Sequence, residues 1–409
     1  FTISSSSGIL GTANIGIVCA DYTCNFGVPF EHEYPFTINS SNTTINLSYN
    51  NAGDNSASGY LNFLELVYRR QLSFSNSVFL FRDAASVGSG NHTKFILSNA
   101  TNVAGIWDVS DPIDVKNQQY ILNGTNAEFT VPNDSLKQFA AFGTTGFLSP
   151  VSTEKIDNQN LHGIQQADYI IVTAPQFLHQ AEELASFHNN LTSAVVTTDQ
   201  VYNEFSSGCK DITAIKDFVK MLYDRAGSSS TIPKYLLLFG DGTVDNKWLI
   251  STNENLVPTY QSVSSLSPVS SFCSDDYYGF LDDVEGGNIL NSAEKMDIGI
   301  GRLPVKTEDE ATAMVNKIEH YASTQTFGNW RNQLTYIADD EDNNQHFRDA
   351  EAVDKWVAAN YPEYNINKIY LDAYKQITTP GGGRYPDVTD AINNQIYSGT
   401  LMMNYVGHG

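Results

Sequence analysis

Leu401-Met402-Met403-Asn404-Tyr405-Val406-Gly407-His408-Gly409 is an apolar run that ends in a histidine between two glycines. Read as a strand, it buries a hydrophobic segment and presents an imidazole at its carboxyl end. In an open parallel α/β sheet, ligands and catalytic groups gather at that edge. The flanking glycines let a substrate carbonyl approach the backbone closely. They also leave the Gly409 N–H free to bind an oxyanion. A histidine at a strand end is, taken alone, more often structural. Its reading therefore depends on what the rest of the chain brings to the same edge.

Upstream, apolar strands alternate with helical patterns. Tyr169-Ile170-Ile171-Val172 predicts a buried strand, with a helix over about 177–189 and a second strand at 193–197. Residues 211–225 predict an amphipathic helix, with Ile212, Ile215, Phe218, Val219 and Leu222 on one face. Lys234–Phe239 predicts a strand ending in Gly240-Asp241-Gly242. Met296–Ile300 predicts another, ending in Gly301-Arg302-Leu303-Pro304. Thr307 and Glu310 form a capping box that opens a helix through about Ala322. A second series starts near Trp330: strand 334–338, ending in Asp339-Asp340-Glu341-Asp342, then helix 345–360, strand 365–370, helix 388–397 and strand 401–406. Such alternation predicts parallel sheets covered on both faces, here as two side-by-side subdomains, 167–330 and 331–409.

Residues 1–150 carry no long helical periodicity. Short β runs, among them Ile15–Ala20, Thr44–Tyr49, Tyr60–Tyr68 and Glu128–Val131, are divided by turn clusters such as Asn50–Asn55 and Asn123–Asn126. They predict a β-sandwich-like domain. The polar stretch 151–166 reads as a linker.

Composition narrows the partners. The 46 acidic against 23 basic residues give a net charge of −23. That argues against nucleic acid and anionic lipid, which both require clustered Lys and Arg. No apolar run is long enough for a transmembrane segment. With no initiator Met and no signal-peptide pattern at Phe1, the chain is expected to be a piece of something longer. Cys19 and Cys24 are close enough to be bridged across a turn, whereas Cys209 and Cys273 stand apart. Asn-x-Ser/Thr triplets are abundant, but an Asn- and Ser-rich chain supplies most of them by chance.

Three features carry chemistry. His408 is the first. The second is Asp339–Asp342. The commoner reading of such a run is a solvated loop, but if strand 334–338 lies beside strand 401–406, one of its acids stands next to His408. A carboxylate there fixes the imidazole tautomer and stabilises imidazolium; Glu341 or Asp340 is the candidate. The third is the acidic loops Gly240–Asn246, Ser274–Gly279 and Asp282-Asp283. They are compatible with a structural Ca²⁺, yet match no EF-hand spacing, and turn formation accounts for them more simply. Cys273 precedes Asp275-Asp276, whose charge makes a poorer nucleophile of its thiol. The residues thus offer a base, an orienting acid and part of an oxyanion hole, but no convincing nucleophile.

Tyr235–Thr243, Ser274–Gly279, Asp297–Val305, Ile337–Asp342 and Asn404–Gly409, in this order, resemble the gingipain family of cysteine peptidases. The resemblance is strongest to the members that serve as surface sortase, or signal peptidase, of the type IX secretion system. It covers roughly residues 167–409 and implies a caspase-like α/β catalytic domain. It implies His408 as catalytic base, Gly409 as oxyanion contributor, and Glu341 or Asp340 as the orienting acid. It places the nucleophilic Cys one strand–helix–strand unit past Gly409, roughly 30 residues on. On that reading the second subdomain is truncated and the 409-residue chain is inactive by itself. Asn343-Asn344-Gln345-His346 carries no counterpart of the Asp that selects arginine in the Arg-specific members. The resemblance further implies cargo proteins bearing C-terminal secretion signals, a lipopolysaccharide acceptor, an outer-membrane β-barrel partner of the PorV type, a cell-surface location and no required cofactor. The alternatives are a secreted protease that only hydrolyses and a catalytically dead scaffold.

Overall fold

The computed structural model describes the chain apart from residues 39–41, 76, 146, 152, 154, 247, 248, 250–253, 288, 290–293, 341, 381 and 409. It divides into two units. One comprises Phe1–Ile17 with Val28–Asn158, the other Val18–Gly27 with Gln159–Gly409. Cys19 and Cys24 are disulfide-bonded, with Cα atoms 5.8 Å apart. Among the described residues no helix is long and apolar enough to cross a membrane.

In the first unit, strands Phe79–Arg82, Gln138–Phe142 and Gly105–Asp108 pair antiparallel in one sheet. His92–Leu97, Asn126–Pro132 and Ile121–Asn123 pair antiparallel in another. Alternate residues of both sheets meet in one core: Phe79, Phe81, Ile106 and Phe139 from the first, Phe95, Leu97, Ala127 and Phe129 from the second. Period-2 alternation produces this arrangement, since every other side chain of a strand faces the same way. Two predicted strands do not form. Ile15–Ala20 and Tyr60–Tyr68 are irregular, and their apolar side chains stay exposed, as at Ile17 (94%) and Tyr60 (89%). An apolar pattern makes a strand only where a neighbour offers its backbone.

The second unit holds two parallel sheets. The first has the strand order Ser193–Thr197, Tyr169–Thr173, Tyr235–Phe239, Gly299–Leu303. Ile170, Val172, Leu236 and Leu238 face helices α2 (Thr198–Phe205) and α3 (Ile212–Asp224). Tyr169, Ile171, Leu237 and Phe239 face α1 (Leu178–Phe187) and α4 (Glu308–Ala322). Burial on both faces explains the unbroken apolar runs. Helix α2, which the periodicity did not announce, begins in a capping box of Thr197 and Gln200. The last strand is Gly299–Leu303 rather than Met296–Ile300. Asp297 is held back in the preceding loop, where its N–H donates to Gly279 and its carboxylate accepts from the Leu281 N–H at 2.9 Å. The shift brings Arg302 inside the strand.

The second sheet has the order Asn365–Tyr370, Gln333–Ala338, Met402–Val406, all parallel. From the central strand, α5 (Gln345–Asn360) leads to one neighbour. From that neighbour, α6 (Pro386–Ser398) leads back across to the other. The helices consequently cover opposite faces: Ala350 of α5 packs on Leu334 and Tyr336, and Val388 of α6 on Ile337 and Ile369. The carboxyl ends of strands Gln333–Ala338 and Met402–Val406 thus emerge side by side.

Candidate active site

The parallel register runs from Leu334 opposite Met402 to Ala338 opposite Val406. One step further, the Asp339 N–H donates to the Val406 carbonyl at 3.2 Å. Asp339 therefore leaves its strand level with Gly407 and next to His408. Its Oδ2 accepts the His408 backbone N–H at 2.6 Å and lies 2.8 Å from His408 Nδ1. Gly407 makes this approach possible. A Cβ there would lie 2.3 Å from Tyr405 Oη and 2.6 Å from Asp339 Cγ. The Tyr405 hydroxyl donates to the His408 carbonyl at 2.9 Å and stands 3.3 Å from Asp339 Oδ2.

Asp339 is buried, and burial opposes its charge. The His408 N–H, the His408 ring and the His346 ring outweigh burial and hold the carboxyl at about 2. It is therefore an anion at neutral pH. An anion on Nδ1 keeps the proton there and leaves the Nε2 lone pair available. Among the described residues Nε2 accepts and donates no hydrogen bond, and the side chain is 68% exposed. The geometry is that of a base held at one nitrogen and presented at the other.

The other Asp339 oxygen, Oδ1, takes a hydrogen bond from His346 Nδ1. The turn before α5 delivers that ring. Asn343 and Asn344 both have positive φ, 57° and 58°, which Asn tolerates better than other residues with a Cβ. Asp342 then caps α5, accepting from the Gln345 N–H at 3.0 Å and the His346 N–H at 2.6 Å. His346 Nδ1 lies 2.9 Å from Asp342 Oδ2. The two imidazoles meet edge to face, 4.9 Å between centroids.

Among the described residues the carboxylate on His408 is thus Asp339, where Glu341 or Asp340 was expected. Asp340 accepts a hydrogen bond from the Tyr385 hydroxyl, whose ring packs in the core on the α6 side. Glu341 and Gly409 lie outside the described residues. Sequence reasoning missed Asp339 as the partner and His346 altogether. The available signals were position: Asp339 directly follows the last buried strand residue, and His346 falls in the first turn of the next helix.

The acidic loops of the first sheet have other partners. Asp275 forms a two-pronged pair with Arg302, both contacts at 2.7 Å. Asp241 faces Lys306 at 3.2 Å and Asp283 faces Lys220 at 3.0 Å. Cys273 is exposed as a residue, yet partial burial of its thiol, and then Asp275, push its pKa up. Neither effect favours a thiolate.

A profile described as peptidase family C25 matches residues 163–409. No curated protein gives a significant match. The crystal structure of dimeric latent PorU from Porphyromonas gingivalis is 28% identical, with a TM-score of 0.55, over 64% of this chain and 26% of that one. The Arg-specific cysteine proteinase gingipain R (RgpB) is 20% identical, with a TM-score of 0.41, over 60% of this chain and 47% of that one. The complex of Porphyromonas gingivalis RgpB pro- and mature domains is 20% identical, with a TM-score of 0.40, over 59% and 48%. The chain thus spans about a quarter of the PorU chain it matches (26%).

Proposed function

The chain belongs to peptidase family C25, and on that premise we propose that it carries the base and orienting acid of a cysteine peptidase acting as a surface sortase. His408 is the base, Asp339 the acid that orients it, and Gly409 an oxyanion donor. A cysteine following Gly409 in the full-length protein supplies the nucleophile. The observation that carries this reading is the Asp339 Oδ2–His408 Nδ1 contact of 2.8 Å at the carboxyl ends of two adjacent parallel strands. The likeness to PorU supports the sortase branch.

The thiolate attacks the carbonyl at the junction between a cargo protein and its C-terminal secretion signal. The His408 imidazolium gives its Nε2 proton to the leaving amine, and a thioester remains. An amine borne by surface lipopolysaccharide then attacks the thioester, His408 takes the proton from that amine, and the thiolate is released. Asp339 stays ionised throughout and stabilises the imidazolium. The reaction needs no cofactor. The same reading puts the protein on the outer face of the outer membrane with a β-barrel partner of the PorV type. It treats residues 1–150 as a sandwich domain, which the phenylalanine core shared by two antiparallel sheets supports.

The test is to incubate the full-length protein with signal-bearing cargo and an amine acceptor. Cargo joined to the acceptor is the expected product. Free acid alone would reduce the reading to hydrolysis, and intact cargo would remove it.

A further inference from the structure

Asp339 gathers two imidazoles where orienting a base requires one. Its two oxygens face the Nδ1 atoms of His408 and His346, which come from a strand end and a helix start 62 positions apart in chain order. One ligand atom from each of the three residues lies within 4.8 Å of the others. We propose that Asp339, His346 and His408 form a binding site for a divalent transition-metal cation of the zinc class.

The donor set selects the ion. One carboxylate and two imidazoles suit Zn²⁺ and its neighbours, whereas Ca²⁺ and Mg²⁺ require mainly oxygen ligands. Zn²⁺ binds His nitrogen and Asp oxygen at about 2.0–2.2 Å and commonly leaves a fourth position open when three residues hold it. Tyr405 Oη, 3.3 Å from Asp339 Oδ2, is an outer contact of the kind that steadies such a ligand. Asp342 Oδ2, 2.9 Å from His346 Nδ1, meets the nitrogen that the ion takes and stands near enough to fill the fourth position. The ion enters from the His408 side, which is open to solvent. Its binding displaces the protons on the two Nδ1 atoms, so nothing is oxidised or reduced.

One consequence rests on the function proposed above. A metal on His408 Nδ1 takes the lone pair of that nitrogen, and the ring proton of the neutral imidazole then sits on Nε2. The base is switched off while the ion is bound. The metal site itself does not depend on that function.

Calorimetric titration of the 409-residue chain with ZnCl₂ tests the site. Cys209→Ser and Cys273→Ser form the background, because both are free cysteines on exposed residues. The expected result is one Zn²⁺ per chain, with affinity at least about tenfold weaker in His408→Ala and in His346→Asn. Asn keeps an N–H donor toward Asp339 while giving up the imidazole ligand. His162→Ala, at the separate His162–Glu204 pair, should bind as the parent does. Circular dichroism checks each fold, and His408→Ala, altering an exposed side chain, keeps the test decisive if His346→Asn unfolds. No binding, or binding indifferent to both site variants, overturns the proposal. In the full-length peptidase, Zn²⁺ should inhibit the parent and lose that effect in His346→Asn, each measured against its own metal-free rate. A full-length protein that binds Zn²⁺ through His346 yet cleaves at an unchanged rate would keep the metal site and overturn the role of His408 as base.

Discussion

The two parallel sheets put charge at the same topological place and use it in opposite ways. At the end of the first sheet, Arg302 is 14% exposed and fully engaged. It pairs with Asp275 and donates to the carbonyls of Gly240 at 2.8 Å, Val257 at 2.7 Å and Pro258 at 3.2 Å. At the end of the second sheet, Asp339 is similarly buried, but its partner His408 is not. The imidazole is tied at Nδ1 and presented at Nε2. A charge whose bonds are all satisfied within the protein is a strut between loops. A charge that fixes one end of an otherwise exposed ring prepares a reagent. The carboxyl edge of a parallel sheet therefore marks where chemistry can occur, and saturation of the polar groups decides whether it does.

The most severe test of that contrast is Asp339→Asn in the full-length peptidase. The kcat/KM should fall about 10³- to 10⁴-fold, the scale on which an orienting carboxylate matters in a triad. Asp340→Asn should cost less than about tenfold, because Asp340 serves Tyr385. Equal losses would return the role to the neighbouring acid. Arg302→Met should act on stability instead. It strands Asp275 and three carbonyls and should cost about 3 kcal/mol in urea unfolding. A variant that keeps its stability but loses turnover would erase the distinction between the two edges.

Gly407→Ala comes next. Its Cβ would press on Asp339 Cγ at 2.6 Å, displacing the carboxylate from His408. A misplacement of this order should lower kcat/KM about 10- to 100-fold, with a stability change within about 1 kcal/mol. The smallest effect is a pH effect in the first sheet's surroundings. Burial opposes ionisation of Glu204, but the Leu161 N–H, Gln159 and His162 hold its carboxyl at about 2. The folded value lies below the unfolded one, near 4.3, so this contribution is complete above that range and is lost as pH falls toward 2. Glu204→Gln should therefore melt earlier than the parent at pH 7 and converge with it near pH 2. A constant difference across that window would remove Glu204 as a strut.

Much of the α/β architecture was legible. Tyr169–Val172 and Lys234–Phe239 are unbroken apolar runs because both of their faces are covered, and the 3.6-residue pattern of Ile215, Phe218, Val219 and Leu222 identifies α3. Boundaries were less legible. Asp297 looks like part of a strand until Gly279 and Leu281 are seen to hold it in a loop. Tyr60–Tyr68 alternates like a strand but pairs with no strand among the described residues. At the site, His408 and the acidic loop were evident, and the choice among the loop's acids was not. Four acidic side chains in succession look alike in sequence.

The elements, their alternation and the residue types at the sheet edge can be read from the order of residues, because apolar periodicity and chain punctuation are local properties. Tertiary structure alone decided that Asp339 meets His408, that Asp340 turns to Tyr385 and that His346 joins the pair. Those outcomes depend on which strand lies beside Gln333–Ala338, on its register, and on two left-handed asparagines that swing a helix start back over the sheet. A contact between residues 69 positions apart follows from the pairing of two strands, and no local pattern encodes it.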